Sequence, residues 1–238
     1  MLSMNPKILT TVISDELKNF IHKIKNKKIK LVTQHNRNGT AHAVKTALKK
    51  NNPSNIKNTL ILYGDTPLIQ KKTIENAIKY FIKNSLDLCV LAMKPKSSDH
   101  AYGRLFFQNK SLVKIIEKAE MTKTQSENDL NICNSGMMIF NTKKLLKYIN
   151  KVGNLNKKKE FYLTDLVSIF HKHGLNAGYY LCDYEECKGV NNMQELSSAN
   201  KIFQNTKRNF FLNKGIFMED PSTVFFSADT RIEKDVKI

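Results

Sequence analysis

The sequence has no uninterrupted apolar run of about eighteen residues, the length a membrane-spanning helix needs, so no membrane span is expected. The first residues, Met1-Leu2-Ser3-Met4-Asn5-Pro6-Lys7, carry no apolar stretch ahead of a small-residue cleavage site, which argues against secretion. The four cysteines, Cys89, Cys133, Cys182 and Cys187, form no CxxC pair, so neither a disulfide framework nor a zinc knuckle is indicated, and a reducing, cytoplasmic setting fits best. Arginine is scarce as well. Only Arg37, Arg104, Arg208 and Arg231 occur, so 35 of the 39 cationic residues are lysine. The net charge of +18 would suit a nucleic-acid partner, but Arg is the usual residue for bidentate contacts to phosphate and guanine. The lysines are spread from end to end among many Asn and Ile residues, all with A/T-rich codons, so the charge reads as a solvated surface and no nucleic-acid partner is expected. The runs Lys25-Asn26-Lys27-Lys28 and Lys157-Lys158-Lys159 read as loop charge. There is no GxxxxGK[ST] phosphate loop, and none of the six histidines stands in an HExxH pattern.

What is present is an alternation of strand and helix signals across 238 residues, 41% of them hydrophobic. Ile8–Ile13 is short and β-branched. Ser14-Asp15 then opens a helical stripe at Leu17, Phe20, Ile21 and Ile24. Ile29–Val32 reads as a second strand and Thr40–Lys49 as a helix. Thr59–Tyr63 is nearly all apolar, as expected for a strand buried on both faces, and it ends in the polar turn Gly64-Asp65-Thr66-Pro67. Ile74, Ala77, Ile78 and Phe81 form the next helical stripe, and Leu86–Met93 another buried strand. This order predicts βαβ units and a parallel sheet. From Tyr102 to about Phe140, short strands (Arg104–Gln108, Leu112–Ile116, Cys133–Phe140) follow one another without helices and predict an antiparallel lobe. Helices are expected at Thr142–Ile149, Thr164–His173 and Met193–Phe211, with a strand at Leu175–Cys182. In the last segment, Ile232 and Ile238 stand six residues apart, the spacing of a hexapeptide β-helix repeat.

Several polar residues fall where such a sheet binds ligands, outside the carboxyl ends of its strands. Asp65, in a tight turn just past a buried strand, is placed to hold a hard cation such as Mg²⁺; a turn aspartate bonding its own backbone is the alternative. Gln34-His35-Asn36-Arg37-Asn38-Gly39-Thr40 leads from a strand into a helix. Gly39 permits close backbone approach, Thr40 can cap the helix, and the Gln34 amide can pair with a base edge through one donor and one acceptor; an ordinary capped turn is the alternative. Gly136, in Asn134-Ser135-Gly136, marks a strand position that another group approaches closely. Glu117, and Asn191-Asn192 after Gly189-Val190, are polar residues at strand or loop ends.

Taken in order, these pieces resemble the uridyltransferase domain of the bifunctional GlmU family. The stretches that carry the resemblance are Gln34…Gly39-Thr40-Ala41-His42-Ala43, Leu62-Tyr63-Gly64-Asp65-Thr66-Pro67-Leu68, Tyr102-Gly103-Arg104, Ile115-Ile116-Glu117-Lys118, Asn134-Ser135-Gly136, Glu160-Phe161-Tyr162-Leu163-Thr164-Asp165, Gly189-Val190-Asn191-Asn192 and Glu219-Asp220-Pro221. They run over nearly the whole chain. The resemblance implies a Rossmann-like α/β nucleotidyltransferase fold with a mixed, mostly parallel sheet and an antiparallel sugar-binding lobe. It implies that UTP and N-acetylglucosamine 1-phosphate give UDP-N-acetylglucosamine and pyrophosphate, feeding synthesis of peptidoglycan and lipopolysaccharide. It implies Mg²⁺ as cofactor, held by Asp65 and Asn191, which would be the catalytic pair. Gln34, Gly39 and Thr40, with Tyr63, Gly64 and Asp65, would bind the nucleotide. Gly103, Glu117, Asn134, Tyr162 and Thr164 would form the sugar pocket.

The family opens with a strand and a Gly-rich loop carrying an Arg and a Pro-Lys pair, which hold the triphosphate. No such loop is found here, and Pro6-Lys7 lies too close to Gln34 to be that pair. Ile8–Ile13 aligns instead with the family's second strand. On this expectation the nucleotidyltransferase domain, residues 1–222, is short of its first βα unit, and residues 223–238 begin a β-helix that is otherwise missing. The implied partners are therefore the small-molecule substrates, together with either a separately supplied N-terminal segment or self-association. The alternative to an active enzyme is a remnant that binds UDP-sugar without turnover; a basic nucleic-acid-binding protein is a third reading.

Overall fold

The computed structural model describes residues 4–23, 28–96, 102–122 and 132–238. The expected helix position Ile24 and the charged residues Lys25–Lys27 lie outside them. The chain divides into two compact units, one of Met1–Tyr63 and Ile69–Cys187, the other of Gly64–Leu68 and Lys188–Ile238.

The first unit begins with strands β1 (Leu9–Ser14) and β2 (Ile29–Gln34), a parallel pair with Val12 opposite Val32. The connection between them, Asp15–Lys23, is a 3-10 helix rather than the expected α-helix. Leu17 of that segment is 49% exposed, and 3-10 turns are common in short connections of this kind. Helix α1 (Thr40–Asn51) follows β2 and buries Ala41 and Leu48.

Strand β3 (Asn58–Ile61), helix α2 (Lys71–Lys83) and strand β4 (Leu88–Met93) come next, then the hairpin β5 (Arg104–Gln108) and β6 (Ser111–Ile116), and the long strand β7 (Cys133–Asn141). Helices α3 (Thr142–Tyr148) and α4 (Asp165–Lys172), strand β8 (Ala177–Leu181) and the short helix α5 (Tyr184–Cys187) complete the unit. The six-stranded sheet runs β6-β5-β7-β4-β8, with β3 also paired to β7. Because β3 and β4 are both antiparallel to β7, they point the same way, and β8 is parallel to β4. The β5–β6 hairpin is antiparallel, as the run of short strands predicts.

Two strands differ from their sequence expectation. Strand β3 is half-buried along its length rather than buried on both faces, because among the described residues its ladder is made with β7 alone. Strand β7 matches the expected Cys133–Phe140 to within one residue and is antiparallel as expected, but it is not confined to the lobe. It has nine residues, buried from Cys133 to Phe140, and it enters the sheet beside β4, where a continuous apolar run is covered on both faces. The two-residue period is plain in β4. Leu88, Val90 and Ala92 join one core with Met138, Phe140, Leu166 and Phe170. Cys89, Leu91 and Met93 join the other, with Ala77, Phe81, Met137 and Ile139. All four cysteines are buried and free.

The second unit is built on helix α6 (Met193–Leu212). Its core is Phe211, Ile216, Met218 and Phe226. The buried Gln204 amide holds the chain end by donating to the Phe226 carbonyl (2.9 Å) and accepting from the Phe226 N–H (2.8 Å). Phe217 bridges Lys237 in parallel, and Ile238 donates to the Phe217 carbonyl at 2.9 Å. Among the described residues, no helix is long and apolar enough to cross a membrane.

Candidate functional site

The polar residues gather in three places. The first is the connection from β2 into α1. Gly39 adopts a φ of +103° and lies so close to the next segment that a Cβ there would come within 2.6 Å of the Phe161 carbonyl oxygen. The approach is sealed by backbone bonds from Ala41 N–H to the Phe161 oxygen (2.9 Å) and from Phe161 N–H to the Asn38 oxygen (2.8 Å). Thr40 does not cap the helix, as its sequence position suggests. It is the first helical residue, and its hydroxyl accepts from the Leu163 N–H at 2.9 Å, which ties α1 to the segment carrying Tyr162 and Thr164. The donor half of the Gln34 amide is also used within the chain. Its Nε2 donates to the Gly39 carbonyl (3.2 Å) and lies 2.8 Å from His42 Nδ1, so it is not free to donate to a base edge. The exposed part of the loop is anchored by His35 to Asp15 (2.9 Å) and by Arg37 to Glu16. Lys18 and His35 hold the Asp15 carboxyl below its ordinary range.

The second place is where the β5–β6 hairpin, β7 and the start of α4 meet. Gly103 accepts from the Asn134 N–H at 2.8 Å. A Cβ on Gly103 would meet Glu117 Oε2 at 2.9 Å, so the carboxylate lies directly over that backbone. The other carboxylate oxygen, Oε1, accepts from the Thr164 hydroxyl at 2.9 Å. The Asn134 side-chain oxygen Oδ1 accepts from the Gly136 N–H at 2.9 Å, and Tyr162 accepts through its backbone carbonyl from the Asp165 N–H at 3.2 Å. Gly103, Glu117, Asn134 and Thr164, far apart in sequence, are thus brought together, with Tyr162 two residues before Thr164. Burial raises the Glu117 carboxyl above its ordinary range, and the Thr164 hydroxyl and Lys158 partly oppose the rise.

Tyr63 belongs to the same unit. Its ring lies on the backbone of Gly136, whose φ is +87°. Asp165, not among the sequence-predicted site residues, stands beside this group. Burial pushes its carboxyl up to about 6, with the Glu117 and Glu120 charges adding to the rise. Its position at the start of a helix, one residue after Thr164, gave an ordinary capping signal and nothing that set it apart.

The third place lies in the second unit. The Asp65 carbonyl accepts from the Val190 N–H at 2.8 Å, which sets the exposed Asp65 and Asn191 on adjoining backbones. Gly64 is exposed beside Asp65, with open space where a Cβ would stand. Asn192 caps α6 by accepting from the Glu195 N–H (2.8 Å), and Glu195 returns the bond by accepting from the Asn191 N–H (2.6 Å). This is a capping box, legible in the Asn192-Met193-Gln194-Glu195 spacing. Those amide bonds hold the Glu195 carboxyl below its ordinary range. Asp65 and Asn191 both offer hard oxygen atoms. Two such protein ligands suit Mg²⁺, which keeps several waters and takes the rest of its shell from phosphate oxygens. Among the described residues, no group of three or more His, Cys, Asp or Glu side chains is arranged to hold a metal alone.

The class of protein that carries this strand-helix sheet is given by the sequence comparison: it is a nucleotidyltransferase. The nucleotidyl transferase family profile matches residues 6–205, and the chain belongs to that family. It is 38% identical over 236 residues to the bifunctional protein GlmU of Wolbachia pipientis wMel, covering 98% of this chain and 52% of that protein. It is 38% identical over 203 residues to the GlmU of Brucella anthropi, covering 85% of this chain and 44% of that protein. The chain therefore spans about half the length of the curated relatives it matches. Among solved structures, a UDP-N-acetylglucosamine pyrophosphorylase assignment from Entamoeba histolytica superposes with a TM-score of 0.68 at 14% identity, over 97% of this chain and 76% of that one. This likeness bears out the mixed α/β nucleotidyltransferase fold.

Proposed function

We propose that the chain is a Mg²⁺-dependent uridyltransferase that converts UTP and N-acetylglucosamine 1-phosphate to UDP-N-acetylglucosamine and pyrophosphate, in the cytoplasm, on the route to cell-wall polymers. The observation that carries this reading is the assembly of Gly103, Asn134 and Thr164 with the half-buried Glu117 carboxylate, in a chain 38% identical to two GlmU proteins. A carboxylate, an amide and backbone carbonyls are the groups that recognise sugar hydroxyls. The four free, buried cysteines suit a reducing compartment.

In this reading an oxygen of the sugar phosphate attacks the α-phosphorus of UTP. The new P–O bond forms as the bond from that phosphorus to the bridging oxygen breaks, and pyrophosphate leaves with the electron pair. Such chemistry needs positioning and charge neutralisation more than a covalent nucleophile. Glu117, Asn134, Gly103 and Thr164, with Tyr162, orient the sugar. Gln34, Gly39, Thr40, Tyr63 and Gly64 serve the nucleotide. Bound Mg²⁺, with Asp65 and Asn191 as its protein ligands, would neutralise phosphate charge. Residues 223–238 are read as the opening coil of a β-helix, with the parallel Phe217–Lys237 bridge in support.

The test is thermal unfolding of the full chain with and without UDP-N-acetylglucosamine and Mg²⁺, followed by a pyrophosphate-release assay. Ligand at a hundred times its dissociation constant adds about 2.7 kcal/mol of stability. A rise in the midpoint with turnover is expected; a cooperative transition that the ligand does not move would overturn the reading. A rise without turnover would favour the second reading, a UDP-sugar-binding protein.

A further inference from the structure

Gln34 stands at the end of β2 with a side-chain amide that could face a ligand in either of two ways. The surrounding residues permit one. The Gly39 carbonyl, 3.2 Å away, can only accept a hydrogen bond, so the group facing it is the amide NH₂. The second amide hydrogen has its acceptor in His42 Nδ1 at 2.8 Å, which places the ring proton on Nε2. Both anchors are themselves held. Gly39 is fixed by its close approach to Phe161, and His42 sits in the first turn of α1, with its ring centroid 6.5 Å from that of Phe161. With both hydrogens spent, the Gln34 carbonyl oxygen is left without a protein partner among the described residues, and it is an acceptor only.

We propose that His42 is a positioning residue that locks the Gln34 amide with its carbonyl oxygen toward the base, selecting a pyrimidine that carries a hydrogen at N3 (uracil) over cytosine. The inference rests on the reading of Gln34 as a nucleotide contact and deepens it. Uracil presents N3–H at the centre of its edge, between two carbonyls. Cytosine presents a lone pair there, which would oppose the Gln34 oxygen, and its amine lies at one corner. A freely turning amide would accept either base, because it could offer its oxygen to one and its NH₂ to the other. The selectivity therefore comes from what holds Gln34, not from Gln34 alone.

The test is calorimetric titration of the full chain with UDP and with CDP, Mg²⁺ in excess, on the wild type, His42→Leu and His42→Asn. The wild type should favour UDP. His42→Leu should lower the UDP-to-CDP affinity ratio about tenfold, the contribution of one hydrogen bond. His42→Asn, which places an acceptor oxygen near the position of Nδ1, should retain the ratio. A His42→Leu chain that loses affinity for both ligands equally, with its ratio unchanged, would show a structural role and overturn the inference. A wild type that binds neither nucleotide would instead overturn the nucleotide-site reading beneath it. Should His42→Leu not fold, the wild type with N3-methyl-UDP decides the orientation. Affinity close to that of UDP would mean that the Gln34 oxygen does not accept from N3, and tenfold or greater weakening would support the proposal.

Discussion

The Tyr63 ring lies flat enough on the backbone of Gly136 that a Cβ added there would come within 2.7 Å of its Cε2. Gly136 is held at a φ of +87°, which L side chains rarely adopt, so two separate constraints fall on one residue. Gly136→Ala should destabilise the chain by about 1–3 kcal/mol. Denaturant unfolding measures this, and a variant as stable as the wild type would mean that Tyr63 moves aside freely.

Thr164 is 4% exposed, and its hydroxyl is the described hydrogen-bond donor to Glu117. Thr164→Val keeps the shape and removes the donor. It should cost about 1 kcal/mol, because it leaves a half-buried carboxylate with one hydrogen bond fewer. The Glu117 carboxyl should rise further from its ordinary range, since the hydroxyl is a force that lowers it. Stability curves at neutral and mildly acid pH would show both effects, with the deficit of the variant shrinking as Glu117 takes up its proton.

Asp165 contributes a pH dependence of opposite sign to that of a salt-bridged carboxylate. Its carboxyl is pushed from 3.8 up to about 6 in the folded chain, so the folded state binds the proton more tightly than the unfolded state. Its contribution to stability is therefore fully present below about pH 4 and is lost as pH rises to about 6. Asp165→Asn should be more stable than the wild type at pH 7, by about 1 kcal/mol once solvent screening of a partly exposed group is allowed for. The advantage should vanish below about pH 4. Equal stability at pH 7 would show that burial and the neighbouring Glu117 and Glu120 do not act on this carboxyl.

Asp65 is exposed and holds its place through its backbone carbonyl, not its carboxylate. Asp65→Asn should therefore leave the unfolding midpoint within about 0.5 kcal/mol of the wild type. It should remove the Mg²⁺-dependent part of UDP-N-acetylglucosamine binding, read as the ligand-induced rise in midpoint with and without Mg²⁺. An unchanged Mg²⁺ effect would sink the metal assignment.

Much of this protein was legible in one dimension. The helix starts, the hairpin and the strands β1, β2 and β4 follow from apolar periodicity, because a helix or strand must show its apolar side at a fixed spacing to be buried at all. The order of the polar motifs carried the family. Asn191 and Asn192 could be told apart only in part. The capping box with Glu195 was readable from spacing, whereas the bond that sets Asp65 beside Val190 joins residues more than a hundred positions apart.

Other features belong to the tertiary structure alone. The place of β7 beside β4 depends on strand pairing, which an apolar run does not specify. Thr40 looked like a cap, yet its hydroxyl serves Leu163, because the glycine before it lets a distant segment approach to bonding distance. Gln34 looked able to donate and accept, yet both its hydrogens are spent on Gly39 and His42. Sequence by itself determined which chemical groups are present and which elements carry them. Which of those groups remain free to meet a ligand was decided by the fold, since a hydrogen-bonding group is available only when no neighbour brought in by packing has already engaged it.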